Sequence, residues 1–408
     1  MVYVAEELAG AEAEPVEPVA KPGERASTQE GFGRMMNALG RSEAPFTRHI
    51  VTTSPDVTVS TNLGPWVNRR GVFSRRDMKD VFREEKVVSA QSWAMAPSGQ
   101  HVELGIAENN LFLALAAMGL THSLFGARLL PIGTVYDPFI MRGLDALNYA
   151  CYQDARFLLV ATPSGISLAP EGGAHQSIGT PLIGMAQDGL AYFEPAYIDE
   201  VQAVMEWAFD YMQRDGNGEG RPGWLRDNAG GSVYLRLSTR PIEQPDRRMD
   251  DALHHAIIDG GYWLRPPGDG AELAIICAGA VTPEAIAAHE QVLEDVPGAG
   301  LLVVTSADRL NAAWHAAERA RESGDARGAL PCHIEALLAP LAPDAALVTV
   351  VDGHPATLAW IGAVRGHHVQ ALGVEHFGQS GSIPDLYRHY RIDTDAILDA
   401  AARALLDR

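Results

Sequence analysis

At 408 residues, with 47% hydrophobic and 7% aromatic content, the chain is long enough for two or three well-cored domains and is not disordered. Its formal net charge of -20 argues against non-specific nucleic-acid binding and against docking on an anionic membrane, because either polyanion would repel it. No run of eighteen apolar residues suggests a membrane-spanning helix, and the acidic first ten residues do not read as a signal peptide. Cys151, Cys277 and Cys332 are scattered, without zinc or redox-pair spacing, so free, mostly buried thiols in a reducing cytoplasm are expected.

Residues 6–26 are biased to Pro, Ala and Glu, which predicts a mobile tail over residues 1–27. Ser27-Thr28-Gln29-Glu30 has N-cap character ahead of Phe32, Met35, Met36 and Leu39, which repeat at helical spacing. Residues 49–53 read as a strand closed by Ser54-Pro55-Asp56. Arg69, Arg70, Arg75, Arg76 and Lys79 form a basic island interleaved with acids, expected to be a solvated, salt-bridged surface. The polar stretch 100–110 runs into the apolar stretch 111–120, which puts Glu108 at a helix start, where the dipole favours an anion. Residues 129–135 are an apolar strand with Tyr136 and Phe139 just beyond its end. Rings at the carboxyl edge of a parallel strand suit a flat ligand. A helix over 142–150 and a strand over 155–161 lead to a loop bearing Glu171 and His175. An amphipathic helix (199–212), a Gly-rich flexible loop (215–223), a strand (231–237) and a Pro- and charge-rich connector (241–248) follow.

A second unit has strands at 272–278, 300–306 and 346–352, a helix opened by Thr282-Pro283-Glu284, and a last helix over 394–406. Strand and helix alternation predicts an α/β fold of two consecutive, mostly parallel-sheet domains, 28–245 and 250–408. Gly268-Asp269-Gly270 lacks the downstream Asn of a metal-diphosphate motif and reads as a turn. No nucleophile elbow, P-loop or dinucleotide fingerprint is present.

Ile106-Ala107-Glu108, the pair Tyr136 and Phe139, and Gly173-Ala174-His175-Gln176, in this order, resemble the pyrimidine-binding domain of thiamine-diphosphate enzymes of the transketolase and 2-oxoacid dehydrogenase group. Residues 373–381 resemble the Gly-rich loop of the transketolase carboxy-terminal domain, so the likeness runs over about residues 28–400. It implies a pyrimidine-binding thiamine-diphosphate fold followed by a transketolase C-terminal-like domain. It assigns Glu108 to the aminopyrimidine as acid–base group, and Tyr136 and Phe139 to packing on that ring. Asp56 would lie near the cofactor. His175 would act on the substrate, with Glu171 beside it. No metal ligand is expected here. The diphosphate-binding half has no counterpart, so an α-type partner is expected to supply the magnesium and diphosphate ligands, two copies of each chain assembling into a heterotetramer.

Tyr136-Asp137-Pro138-Phe139 and the Glu171 to His175 spacing are similar to single-chain pyruvate dehydrogenase, whereas Asp56-Val57-Thr58 and His175-Gln176 look more like transketolase. Three functions stay open. The first is the β-type subunit of a 2-oxoacid dehydrogenase, decarboxylating a pyruvate-like 2-oxo acid and passing the acyl group to the carrier of a lipoyl acyltransferase. The second is the C-terminal subunit of a split transketolase moving ketol groups between sugar phosphates, with Arg236 and Arg240 as candidate phosphate contacts. The third is a non-catalytic partner subunit.

Overall fold

The computed structural model describes residues 20–88, 92–216, 225–325 and 330–406. Two sheets dominate it, and buried residues of both, Ile50 and Leu235 among them from the first and Ile275 and Val348 from the second, belong to one continuous core. The strands, in chain order, are β1 (Arg25–Ala26), β2 (Ile50–Ser54), β3 (Val72–Phe73), β4 (Met95–Ala96), β5 (His101–Glu103), β6 (Leu130–Val135), β7 (Leu158–Ala161), β8 (Leu190–Phe193), β9 (Ser232–Arg236) and β10 (Ile242–Glu243). They continue with β11 (Gly261–Arg265), β12 (Ala271–Ala278), β13 (Gly300–Val304), β14 (Leu341–Val351) and β15 (His368–Leu372).

The first sheet has the order β4-β3-β5-β2-β6-β7-β9-β8, and every pairing in it is parallel. Strands covered on both faces need unbroken apolar runs, and β6, β7, β8 and β9 are buried at every residue. Because β2, β5, β6 and β7 run in one direction, their carboxyl ends share one edge. Asp56, Glu108, Tyr136 and the loop leading to His175 all follow those ends, at the edge where open α/β sheets bind ligands. The second sheet has the order β11-β13-β12-β14-β15 and is parallel except for β11, which runs antiparallel to β13.

Helix Thr28–Arg41 starts as its sequence dictates. Ser27 Oγ accepts from the Glu30 N–H at 3.1 Å, and the Glu30 carboxylate accepts from the Ser27 N–H at 2.7 Å. The tail expected over residues 1–27, however, takes in structured residues at its end. Arg25 and Ala26 pair antiparallel with Glu243 and Ile242, and Ala26 and Ser27 are buried. The expected connector therefore contains a strand, and composition alone concealed this two-stranded clasp because its energy lies in partners some 216 residues away. Residues 1–19 of the expected tail and 217–223 of the expected loop lie outside the described residues. Gly268-Asp269-Gly270 is a turn closed by the Ala271 N–H on Gly268 O at 3.0 Å. In the basic island, Arg70 turns inward to Leu39 O, Ser42 O and Thr47 Oγ1, while Arg75, Arg76 and Lys79 are exposed. Cys151 and Cys277 are buried free thiols and Cys332 is half-buried; burial pushes Cys151 and Cys277 up to about 12. Among the described residues no helix is long and apolar enough to cross a membrane.

Candidate active site

Glu108 opens helix Glu108–Gly119, and Gly105, at φ +66°, turns the chain out of β5 into it. The side chain is only 9% exposed, and the carboxylate accepts from Arg142 Nη1 at 2.6 Å. The loop before it is held by Glu103. That carboxylate accepts from the backbone N–H of Asp56 (2.9 Å), Leu104 (3.1 Å) and Gly105 (3.2 Å), from the Thr58 hydroxyl (2.8 Å), and meets His101 Nε2 at 3.4 Å. Burial alone would raise the Glu103 carboxyl, but His101 and these donors bring it down to about 2. Asp56 thus joins the β2 and β5 loops through its backbone, in the left-handed region at φ +66°, and its side chain is exposed.

Beyond β6 a 3-10 turn, Asp137–Gly143, carries the aromatic pair. Tyr136 and Phe139 stack with ring centroids 6.0 Å apart, and His175 meets both edge-on, at 6.0 Å and 5.5 Å. The Arg142 guanidinium lies 3.9 Å from the Phe139 ring centroid. This turn is packed directly on the helix of Glu108, since a Cβ on Gly143 would come within 2.2 Å of Phe112 Cδ2. Glu171 Oε2 is 3.9 Å from His175 Nδ1, and both side chains are partly exposed. The histidine loop is pinned from the second sheet. Gln176 Nε2 donates to Gln379 O at 3.0 Å, and a Cβ on Gly173 would sit 2.5 Å from Gly378 O. The Gly-rich 373–381 loop and the histidine turn therefore touch, and the glycines are what permits it.

Asp137, Glu194 and Asp352, which shape the site, were not singled out from sequence. Asp137, wholly buried between the two aromatics in sequence, accepts from the hydroxyls of Ser177, Thr180 and Tyr234 and from Arg236 Nε at 2.9 Å. Arg236 also pairs with Glu194 and donates to Ser177 Oγ (3.1 Å) and Asp352 O (3.0 Å). Burial raises the Glu194 and Asp352 carboxyls despite that cation. Arg240 is held bidentate by Glu284 at 2.6 and 2.7 Å. Both candidate phosphate contacts are thus engaged internally: Arg236 is 1% exposed and Arg240 14%. Because β9 is buried at every residue, Arg236 at its end is a buried charge in need of acids.

Residues 24–216 match the family model described as the transketolase pyrimidine binding domain. Over those residues the chain is similar to the pyrimidine-binding domain of the thiamine-diphosphate transketolase-like family. The pyruvate dehydrogenase E1 component of Corynebacterium glutamicum is 25% identical over 386 residues, 93% of this chain and 39% of that protein. The chromosomal transketolase of Cupriavidus necator is 25% identical over 332 residues, 78% and 41% respectively. The chain thus spans about two-fifths of the length of these relatives. A Pichia stipitis transketolase variant superposes with a TM-score of 0.69 at 16% identity, covering 99% of this chain and 50% of that one. A split-gene transketolase, described as an inactive beta4 tetramer, superposes with a TM-score of 0.59 at 19% identity, covering 93% and 99%. The transketolase-like fold thus accounts for both sheets. The local chemistry fits the pyrimidine end of the cofactor: a nearly buried carboxylate, already engaging a planar N–H donor, beside a stacked aromatic pair. Among the described residues no group of three or more His, Cys, Asp or Glu could hold a metal ion.

Proposed function

We propose that the chain is the β-type subunit of a thiamine-diphosphate-dependent 2-oxoacid dehydrogenase, acting on a pyruvate-like acid and passing the acyl group to a lipoyl carrier. The observation that carries this reading is the meeting of buried Glu108 with Tyr136, Phe139 and His175 at one sheet edge. When bound, the cofactor supplies a carbon nucleophile for the substrate's carbonyl. Glu108 holds or exchanges a proton at the pyrimidine ring nitrogen, where its burial keeps water from competing. Tyr136 and Phe139 fix the ring by their faces. His175, with Glu171 at its back, donates to the substrate's carboxylate or carbonyl oxygen. Magnesium and diphosphate ligands come from an α-type partner, in an assembly of two copies of each. The likeness to an inactive tetramer of a split enzyme supports a chain that needs such a partner.

The same neighbour favours a second reading, the C-terminal subunit of a split transketolase acting on sugar phosphates. The internal pairing of Arg236 and Arg240 weighs against it, because both are already neutralised. Reconstitution with the diphosphate-binding partner tests the choice. Carbon dioxide release from a 2-oxo acid, with acylation of a lipoyl domain, is expected. Ketol transfer between sugar phosphates without decarboxylation would establish the second reading instead, and neither activity in a correctly assembled complex would leave a non-catalytic subunit.

A further inference from the structure

Arg142 is in contact with both halves of the proposed pyrimidine site. Its Nη1 donates to the Glu108 carboxylate at 2.6 Å, and its guanidinium carbon stands 3.9 Å from the centre of the Phe139 ring. These are the two contacts that a flat nitrogen base would make there, one N–H bond to the acid and one ring face. A guanidinium is itself a planar, delocalised N–C–N group, close in shape and donor pattern to the amidine edge of a 4-aminopyrimidine. We propose that Arg142 is a built-in occupant of the aminopyrimidine position, and that cofactor binding is an exchange in which its side chain swings out to solvent. This rests on the thiamine-diphosphate reading above.

The asymmetry of burial supports an exchange. Glu108 is 9% exposed at its side chain whereas Arg142 is 52% exposed, so the cation approaches the fixed acid from the solvent side. Arg142 sits one residue before the end of the 3-10 turn Asp137–Gly143, and that turn's own anchor is Asp137, held by Arg236 and three hydroxyls. The guanidinium can therefore leave without disturbing the aromatic pair. Its presence in the free chain also answers a physical need. A nearly buried carboxylate without a partner is costly, and Arg142 satisfies Glu108 until a ring arrives. The device would exclude loose nitrogen bases from the unassembled subunit and yield only to a ligand that is also anchored elsewhere.

The test uses the full chain without partner, and 4-amino-5-hydroxymethyl-2-methylpyrimidine as probe, titrated by calorimetry or saturation-transfer NMR. Arg142→Ala should bind the probe about two- to fivefold more tightly than the parent, the equivalent of one displaced surface-exposed charged contact. Parent affinity should rise with added salt, which loosens the ion pair, and that rise should vanish in Arg142→Ala. The gain should also vanish when Glu108→Gln is the background. Equal or weaker binding by Arg142→Ala overturns the inference while leaving the cofactor reading intact. Probe bound by no variant, even at millimolar concentration, overturns the exchange. A double-mutant cycle on the unfolding free energy of the ligand-free chain then tells whether the contact itself exists. Coupling between Glu108 and Arg142 places the failure in the cofactor reading, and its absence places it in the contact.

Discussion

Replacing Arg236 with Met removes the cation at the centre of the molecule while keeping much of its volume. Asp137 and Glu194 side chains are 0% and 7% exposed, and both rely on this guanidinium. Breaking a buried ion pair from one side costs about 3–5 kcal/mol, because the remaining charge is left unpaired. Against a typical total of about 5–15 kcal/mol, this is a large fraction. With a urea slope near the upper end for domains of this size, about 3 kcal/mol per molar, the midpoint should fall by about 1–2 M. The loss should depend on pH with a definite sign. Burial already raises the Glu194 carboxyl, and without the opposing pull of Arg236 its folded pKa rises further above the unfolded one. The stability this retains is present at low pH and lost as pH rises, so Arg236→Met should be hurt more at pH 8 than at pH 5. The triple variant Arg236→Met, Asp137→Asn, Glu194→Gln should recover much of the loss. Urea unfolding of the parent, single and triple variants at both pH values is the assay. A single-variant loss below about 1 kcal/mol, or a larger deficit at pH 5, would refute the reasoning.

Asp308 is buried at the junction of the two sheets, accepting the Tyr192 N–H at 3.1 Å, and burial pushes its carboxyl up to about 7 against the pull of that N–H and of Arg309. Its favourable contribution is complete below the unfolded value near 3.9 and is lost as pH rises through about 7, so Asp308→Asn should flatten the fall in melting temperature between pH 5 and 8; an unchanged slope contradicts this. Glu103 behaves oppositely. With its carboxyl held at about 2, its contribution is present above the unfolded value near 4.3 and fades as pH falls toward 2. Glu103→Gln should cost about 1 kcal/mol at neutral pH, after discounting for its partial exposure, and the gap from the parent should close on acidification in a denaturation series. Gly165 sits at φ +67°, where a Cβ would come within 2.6 Å of the Asp352 carboxyl that caps the N–H groups of Ile166 and Ser167. Gly165→Ala should cost about 2 kcal/mol or more by the same denaturation assay, and a change within 0.5 kcal/mol would argue against that crowding.

What was legible in the sequence was what local physics determines. The apolar runs that became β6, β7, β12 and β13 announce strands covered on both faces, and Ser27 with Glu30 announces a helix start. The place of Glu108 at a helix start follows from the polar-to-apolar change around it. What was not legible is long-range pairing. Arg236 lies 99 residues from Asp137, and Asp352 caps backbone groups about 185 residues upstream, so neither reveals its partner by spacing. Arg142 was read only as part of a helix, because its role depends on Glu108 being 34 residues away and folded beside it. The antiparallel β11 was missed for a related reason. Gly261–Arg265 has no strong alternation and becomes a strand only by adding to the edge of β13.

The central claim is that Glu108 is the acid–base group of a thiamine-diphosphate site completed by a partner chain. Hydrogen–deuterium exchange at the cofactor's thiazolium carbon in the reconstituted complex measures that role directly. Glu108→Gln keeps the side chain's shape and should leave assembly intact while slowing exchange by about two to four orders of magnitude. If Glu108 only serves the helix dipole, the change would be about 0.3–1 kcal/mol in stability with exchange within about threefold of the parent, and that result would contradict the account.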